Sequence, residues 1–218
     1  RISHTVTFDP NGGTLEEGEE SKEFFESDPT LGTLPEPERE GYHFDGWFDS
    51  QGNRVTEDTP NDNEDDLTLR AEWSAETDIE YTVLHYVERV DSGINPETES
   101  SGGTFVTMTD SSGTERIYYL YAAVTYRDGI ADSVQTMNDR LMDCGEASMH
   151  TLSIDGFDLA DFNEYEYLIE ADGSTVIRWY YNRADVIVRY DGNGGTASEA
   201  ETSAKYGSCF GTLATAVR

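Results

Sequence analysis

The sequence has few basic residues, few cysteines and no long apolar run, and each shortage excludes a class of function. It has 14 Lys+Arg against 45 Asp+Glu, which gives a formal net charge of −31. Because nucleic-acid backbones and anionic lipid headgroups are bound through Lys and Arg, we expect neither as a partner. No apolar run approaches the roughly 20 residues of a membrane helix, so we expect no membrane insertion by this segment.

The two cysteines, Cys144 and Cys209, lie far apart and lack the spacing of a disulfide framework or a zinc site. We expect isolated thiols, no metal and no other cofactor. The chain begins at Arg1 without a Met or a signal peptide, so we expect a fragment whose anchor lies outside it. An aromatic content of 11% argues against a disordered chain despite the high charge, and it indicates folded modules with acidic surfaces.

One short stretch occurs twice in the chain. Residues 6–14 read Val-Thr-Phe-Asp-Pro-Asn-Gly-Gly-Thr, and residues 188–196 read Val-Arg-Tyr-Asp-Gly-Asn-Gly-Gly-Thr. Asn and Gly tolerate positive φ, so Asn-Gly-Gly after an alternating run predicts a strand, a tight reversal and a second strand. The tripeptide Gly-Thr-Leu at 32–34 also occurs at 211–213, so the sequence similarity between the two copies extends beyond the turn.

The first copy continues with Leu-Pro-Glu-Pro-Glu-Arg-Glu-Gly-Tyr-His-Phe-Asp-Gly-Trp-Phe at 34–48 and closes with Leu-Thr-Leu-Arg-Ala-Glu-Trp at 67–73. This order of motifs resembles the Listeria–Bacteroides repeat, the B repeat of internalin-type surface proteins, over residues 5–73 and, truncated, over 186–218. The resemblance implies a structural role for the repeat-motif residues, which are Asn11, Gly12, Gly13, Gly41, Tyr42, Phe44, Gly46, Trp47, Trp73, Asn193, Gly194 and Gly195.

The stretch between the copies, 79–183, has a different pattern. Residues 79–88 alternate as a strand, and the apolar run 116–126 predicts a buried strand, with a helix as the alternative. A stripe of apolar side chains at helical spacing predicts one helix near 130–143, formed by Ile130, Val134, Met137 and Leu141. Segments 165–169 and 175–181 flank Ala-Asp-Gly-Ser and predict a hairpin. The two ends of the stretch resemble the mucin-binding-protein modules of bacterial surface proteins.

The two resemblances imply an α+β fold of tandem small β-grasp, ubiquitin-like modules, with mainly antiparallel and mixed strands and one helix. We predict three modules, at 1–75, 79–183 and 184–218. The third is shorter than the roughly 40 residues at which a domain usually folds unaided. We therefore expect its strand 185–190 to pair with the middle module or, by edge addition, to associate with another chain.

No catalytic constellation is recognisable in the sequence. Residues His4, His43, His85 and His150 fall in separate predicted strands and loops, and Cys144 with His150 lacks the frame of a catalytic thiol. We therefore expect no enzymatic activity. The acidic run 61–66 lacks the glycine and the alternate spacing of an EF-hand, which favours a solvated loop over a weak calcium site.

Aromatic rings are the best candidates for ligand contact, because exposed rings stack on ligands at recognition surfaces. Trp47 and Trp73 occupy motif positions and are expected in small cores. Tyr180 and Tyr181 point to opposite faces of a predicted strand, so we expect one ring to face outward. The predicted binding residues are Trp179, Tyr180 and Tyr181, with Tyr118, Tyr119 and Tyr121 as further members of a stacking platform.

These observations predict a non-catalytic extracellular repeat segment of a bacterial cell-surface protein, a stalk or spacer that contributes to adhesion. The alternatives are an adhesin module at 79–183 that binds a host glycan or protein, and an accessory region of a larger surface enzyme. The charge of −31 would make successive modules repel one another and keep the stalk extended.

Overall fold

The computed structural model describes residues 3–25, 27–62, 65–89, 105–136, 151–164, 166–208 and 213–217. The chain divides into two compact units. Unit 1 comprises Arg1–Glu80, Arg127–Ser133 and Leu168–Ser174, and unit 2 comprises Tyr81–Tyr126, Val134–Tyr167 and Thr175–Arg218.

Every regular element in the described ranges is a β-strand. In chain order the strands are β1 Ser3–Asp9, β2 Ser21–Phe25, β3 Tyr42–Phe48, β4 Arg54–Val55, β5 Leu67–Ala75, β6 Ile79–Glu88, β7 Phe105–Thr109, β8 Glu115–Gly129, β9 Ser133–Thr136, β10 Phe157–Leu159, β11 Glu166–Ile169, β12 Val176–Arg183, β13 Asp185–Arg189, β14 Thr196–Ala197, β15 Glu201–Lys205 and β16 Ala216–Val217. The predicted α+β class, with β-grasp modules built around a helix, is therefore wrong, since the described residues form an all-β fold.

The first sheet has the strand order β2-β1-β5-β3-β4. Strand β1 pairs antiparallel with β2 and parallel with β5, and β5 pairs antiparallel with β3. Side chains alternate between the two faces of each strand, and those on one face form a core. Val6 and Phe8 of β1 and Leu69 and Ala71 of β5 are all buried on this face. Trp47 of β3 lies in the same cluster.

The second five-stranded sheet has the order β10-β12-β6-β8-β7. Its central strands β6 and β12 run parallel, and β12 pairs antiparallel with β10. Strand β6 spans the predicted residues 79–88, and β8 extends the predicted strand 116–126 in both directions, so the strand interpretation of that run is confirmed. The core on one face is aromatic, with Tyr86, Tyr118 and Tyr180 buried together.

The helix predicted near 130–143 is not present where the structure describes that stretch. Asp132 has φ +52, a left-handed conformation that interrupts a right-handed helix, and Ser133–Thr136 form strand β9. The side chains of Ile130 and Val134 are 41% and 62% exposed. Helices in proteins owe most of their stability to a packed apolar face, and these two side chains provide none. Met137 and Leu141 lie outside the described residues.

The predicted hairpin around 171–174 is correct in its turn and wrong in its pairing. Gly173 has φ +74 and its N–H donates to the Glu170 carbonyl at 3.1 Å, so the Asp-Gly turn forms. The flanking strands, however, join different sheets, since β11 pairs with β9 while β12 pairs with β10 and β6. Turn residues specify a local reversal, but the partners of the strands are chosen by the packing of the whole sheet.

Candidate functional site

The Asn-Gly-Gly motif of the first copy forms a tight turn after β1. Asn11 and Gly12 have φ +47 and +91, and the Gly13 N–H donates to the Pro10 carbonyl at 2.9 Å. The Asp9 carboxylate accepts a hydrogen bond from the Asn11 N–H at 2.9 Å. Two consecutive positive φ angles are the geometry for which Asn-Gly is preferred, so the sequence prediction for this turn is confirmed.

The second copy has the same turn. Asn193 and Gly194 have φ +44 and +88, and the Gly195 N–H donates to the Gly192 carbonyl at 2.8 Å. The Asp191 carboxylate again accepts from the N–H of the asparagine, at 2.9 Å. The repeated sequence motif therefore adopts the same backbone conformation in both copies.

The strands before and after the turn also match in register. In the first copy β1 pairs with β2 from Ser3↔Phe25 to Thr7↔Ser21. In the second, β13 pairs with β15 from Asp185↔Lys205 to Arg189↔Glu201. The bridge Thr14↔Glu38 of the first copy has its counterpart in Thr196↔Val217 of the second. The expected partner of strand 185–190 was the middle module or another chain, whereas β13 pairs with β15 of its own copy.

In the first copy the indole of Trp73 in β5 packs against the turn. Its Nε1–H donates to the Pro10 carbonyl at 3.0 Å, and a Cβ at Gly13 would lie 2.5 Å from Cζ2 of the indole. The Asn11 amide donates to the Ala71 carbonyl at 2.9 Å. The motif residues Asn11, Gly13 and Trp73 therefore act together, as a turn and the side chain that packs on it.

The aromatic motif residues on β3 form part of the core. Trp47 is buried, donates from Nε1 to the Pro35 carbonyl at 2.8 Å, and contacts Phe44 edge to face. Gly46 has φ +137 at the irregularity in the pairing of β3 with β5, a conformation that a side chain would strain. The sequence expectation that Trp47 is a core residue is borne out by its burial.

The remaining motif pair, Gly41 and Tyr42, contacts two other segments of unit 1. Gly41 has φ +72, and a Cβ there would lie 2.7 Å from the Cβ of Ala171. The Tyr42 hydroxyl donates to the Asp132 carboxylate at 2.8 Å, and this bond to an anion raises the pKa of the phenol. The guanidinium of Arg39 lies 3.7 Å from the centre of the Tyr42 ring.

An open groove of about 1010 Å³ runs beside these residues in unit 1. It combines aromatic rings with many carboxylates, and its lining includes Tyr42, Phe44, Trp73, Arg39, Glu16, Glu19, Glu36, Glu38, Glu40 and Glu76. A groove of this composition favours cationic over anionic ligands.

The three residues predicted to bind a ligand lie in the interior. Trp179, Tyr180 and Tyr181 are only 1%, 7% and 1% exposed, so the expectation that one of the two tyrosine rings faces outward is wrong. The reason is that Trp179 and Tyr181 lie with Ile177 on one buried face of β12, while on the other face Tyr180 packs against Tyr86 and Tyr118. A stacking platform needs an exposed ring face, so ligand contact through these residues has no support in the structure.

Inside unit 2 the hydroxyl of Tyr181 has a structural role. It lies 3.0 Å from Nδ1 of the buried His85 and accepts a hydrogen bond from the Leu152 N–H at 2.8 Å. Burial raises the pKa of Tyr181 to about 12, so the phenol stays protonated at physiological pH. His85 thus contacts another core side chain.

Exposed aromatic rings of unit 2 lie instead on strands β7 and β8, and Tyr206 after β15 is 42% exposed as well. Phe105 is 47% exposed and pairs across the ladder with Tyr119, and Tyr121 is 53% exposed on the same strand. Tyr119 and Tyr121 belonged to the predicted stacking platform. Their place could be found from the alternation of the strand, which puts both on the face opposite to the buried Tyr118.

The second copy is attached to the rest of unit 2 through Arg183. Its backbone N–H donates to the Glu88 carboxylate at 2.7 Å, its Nε to the Glu88 carbonyl at 2.9 Å, and its guanidinium to the Tyr206 carbonyl at 2.9 Å. The guanidinium also lies 4.9 Å from the centre of the Phe157 ring. These contacts bridge β6, β10 and the end of β15.

Among the described residues no group of three or more His, Cys, Asp or Glu side chains could hold a metal ion. The candidate thiols Cys144 and Cys209, and His150, lie outside the described ranges. A search of the described part of the chain for a helix long and apolar enough to cross a membrane finds none.

Comparison with known proteins finds a similarity for the first copy. The model of the Listeria-Bacteroides repeat domain matches residues 4–72. Neither the curated proteins nor the solved structures include a significant match to the chain. The resemblance of 79–183 to mucin-binding-protein modules is not supported by these comparisons. Repeats of this family are found in extracellular surface proteins, and the match to this chain covers residues 4–72 of 218.

Proposed function

We propose that the chain is a non-catalytic extracellular segment of a bacterial surface protein, in which repeat modules act as a spacer and contribute to adhesion. The observation that carries the proposal is the duplication: the turn, the strand register and the bridging pair of the first copy all recur in the second. A small unit that recurs along one chain supports a spacer role for its copies.

The net charge of −31 supports this role. Like-charged modules repel one another, which favours an extended chain of modules over a collapsed one. Salt at high concentration screens the repulsion, so the spacer should shorten when the ionic strength rises.

The location is tested on intact cells of the source bacterium. An antibody raised against the 218-residue chain should label cells that have not been permeabilised, while an antibody against a cytoplasmic protein should label them only after permeabilisation. Labelling that requires permeabilisation for both antibodies would contradict a surface location.

A second candidate function, binding of a host glycan or protein by unit 2, is favoured by the exposed rings of Phe105 and Tyr121. Exposed rings on a rigid sheet lose little entropy when a ligand stacks on them. The measurement is binding of the chain to immobilised mucin and to a glycan array. Tyr121→Ala should weaken the binding about tenfold, whereas Ile130→Ala, which removes a comparably exposed apolar side chain elsewhere, should not. A chain that binds neither surface would eliminate this candidate.

A further inference from the structure

The open groove of unit 1 has two walls that a pair of backbone hydrogen bonds holds together. One wall is formed by residues of the loop 14–19 and the other by the segment 36–44, and Trp73 and Glu76 complete the lining. The Thr14 N–H donates to the Glu38 carbonyl at 2.8 Å, and the Glu38 N–H donates to the Thr14 carbonyl at 2.9 Å. The groove is therefore preformed, which lowers the entropic cost of binding a ligand.

Carboxylates occur at every second residue along one of these walls. Glu36, Glu38 and Glu40 are exposed, whereas Pro37 is buried and Arg39 is half-buried. Side chains of an extended chain alternate between its two sides, so the three carboxylates lie on the same side of the segment. In the part of the chain that the structure describes, no ion pair or hydrogen bond engages these three carboxylates. Their negative charge is therefore free to pair with a ligand.

The groove already holds one basic side chain of the chain itself. The guanidinium of Arg39 lies 3.7 Å from the centre of the Tyr42 ring and 3.7 Å from the Asp132 carboxylate. An aromatic face and a carboxylate both attract a cation, and here the two act on the same one. Further along the groove Phe44 and Trp73 are half-buried, with ring centres 5.4 Å apart. The lining therefore offers a second aromatic surface, beside carboxylates, that a basic side chain of a partner can contact.

We propose that this groove binds an extended segment of a partner protein that carries lysine at every second position. Side chains two residues apart in an extended peptide lie about 6.8 Å apart on one side, which is the repeat expected of Glu36, Glu38 and Glu40. Alternate lysines of the segment pair with these carboxylates, and one ammonium group lies against the Trp73 indole.

The size of the groove supports a segment of several residues. Its volume of about 1010 Å³ lies at the upper end of the roughly 300–1,000 Å³ of pockets that enclose a drug-sized ligand, so a single cation would fill only a small part of it. The proposal rests on the geometry of unit 1 alone, and it holds whether or not the protein is a surface spacer.

The test uses the full 218-residue chain and the fluorescein-labelled peptide Lys-Thr-Lys-Thr-Lys-Thr-Lys. The control peptide, Lys-Lys-Lys-Lys-Thr-Thr-Thr, has the same composition and charge but contiguous lysines. Fluorescence anisotropy is measured at about 150 mM salt, where charges more than roughly 8 Å apart are largely screened, so that the net charge of the chain alone does not hold the peptide. The alternating peptide should bind saturably and at least about tenfold more tightly than the control. Equal affinity of the two peptides, or saturable binding of neither, would overturn the proposal.

Two triple variants with the same change of net charge separate the groove from the acidity of the whole chain. The first combines Glu36→Gln, Glu38→Gln and Glu40→Gln, and it should weaken binding of the alternating peptide about tenfold. The second changes three exposed glutamates that do not line the groove, and it combines Glu57→Gln, Glu72→Gln and Glu115→Gln. It should bind the peptide as the unmodified chain does. All six side chains are exposed, so circular dichroism should be unchanged in both variants, and an equal loss of affinity in the two would overturn the proposal.

The place of binding is tested by NMR of the three indole N–H groups. The Trp73 signal should shift when the alternating peptide is added, because this indole lines the groove, whereas the signals of the buried Trp47 and Trp179 should not. Saturable binding without a shift of the Trp73 signal would place the peptide elsewhere and contradict the proposal.

Competition with spermine examines the other occupant, a small polycation without a peptide backbone. Spermine should displace the peptide only at concentrations well above the Kd of the peptide. Displacement at concentrations equal to that Kd would assign the groove to a small polycation and overturn the choice of a protein segment.

Discussion

At the scale of single residues, close contacts determine which positions of the repeat require glycine and which require an aromatic residue. Gly13 and Trp73 are an example, since the indole occupies the space that a Cβ at Gly13 would need. Sequence alone could predict the turn at 11–13, because positive φ is a local property. It could not predict which aromatic rings are exposed, because burial of Tyr180 and Tyr181 depends on the neighbours of β12 in the sheet.

The Gly13–Trp73 contact predicts a large effect of Gly13→Ala. The added methyl group would overlap the indole and the Glu38 carbonyl, 2.5 and 2.8 Å away, and should lower the free energy of unfolding of unit 1 by about 2–3 kcal/mol. The measurement is urea unfolding followed by tryptophan fluorescence. Gly18→Ala is the control, because Gly18 has positive φ and open space around it, so only about 1 kcal/mol of backbone strain is expected. A loss for Gly13→Ala no greater than that for Gly18→Ala would contradict the contact.

The hydroxyl of Tyr181 should matter more for stability than that of Tyr180. Tyr181→Phe removes the oxygen that His85 and the Leu152 N–H contact, and should cost about 1–3 kcal/mol of unfolding free energy. Tyr180→Phe keeps the ring that stacks on Tyr86 at 5.2 Å and should cost less. Thermal unfolding of both variants in parallel is the measurement, and equal losses would argue against the Tyr181 network.

At the scale of elements, strand positions were predictable and their partners were not. Alternation identified β6, and the apolar run identified β8, because both properties are local. The prediction of a helix near 130–143 was wrong because apolar spacing over so few residues does not show whether a core covers the apolar side chains. The pairing of β11 and β12 with other strands depends on residues far away in sequence.

The turn between β7 and β8 carries a carboxylate with a low pKa. Asp110 accepts hydrogen bonds from the Ser112 hydroxyl, the Thr114 N–H and Arg116, which lower its pKa to about 2. Because the folded pKa lies below the usual value of about 3.9, this carboxylate stabilises the fold at neutral pH. The contribution is lost as the pH falls from about 4 towards 2.

The titration of Asp110 can be followed by NMR of its carboxyl carbon. We expect a midpoint near 2 in the unmodified chain and a higher midpoint in Ser112→Ala, which lacks the first donor. Ser111→Ala should leave the midpoint unchanged, because the Ser111 hydroxyl donates to Asp161 instead. Identical midpoints in the Ser112 and Ser111 variants would show that the turn does not set this pKa.

The attachment of the second copy predicts a local effect of Arg183→Ala. The variant loses the bonds of the guanidinium to the Glu88 and Tyr206 carbonyls, at a cost of about 2–3 kcal/mol. Hydrogen exchange should become faster in β13 and β15 while the first sheet is unaffected. Arg178→Ala, an exposed arginine on the same strand, is the control. Protection of β13 and β15 that is the same in both variants would contradict a role for Arg183 as the joint.

At the scale of the whole molecule, the chain contains one unit twice. Its first copy carries a complete five-stranded sheet, and in the described residues its second copy carries the turn, the first ladder and the bridging pair. The duplication could be predicted from the sequence because the motif occurs twice. The sequence did not predict that β13 would pair within its own copy, because a copy of fewer than roughly 40 residues is not expected to fold unaided.

Cross-strand nuclear Overhauser effects in the 218-residue chain test the duplication most directly. Directly opposed residues that do not exchange hydrogen bonds bring their Hα atoms together. We expect contacts between the Hα atoms of Thr5 and Glu23 in the first copy and between those of Ile187 and Ser203 in the second. A contact for Thr5 with Glu23, together with a pairing of Ile187 with any residue other than Ser203, would contradict a repeated unit.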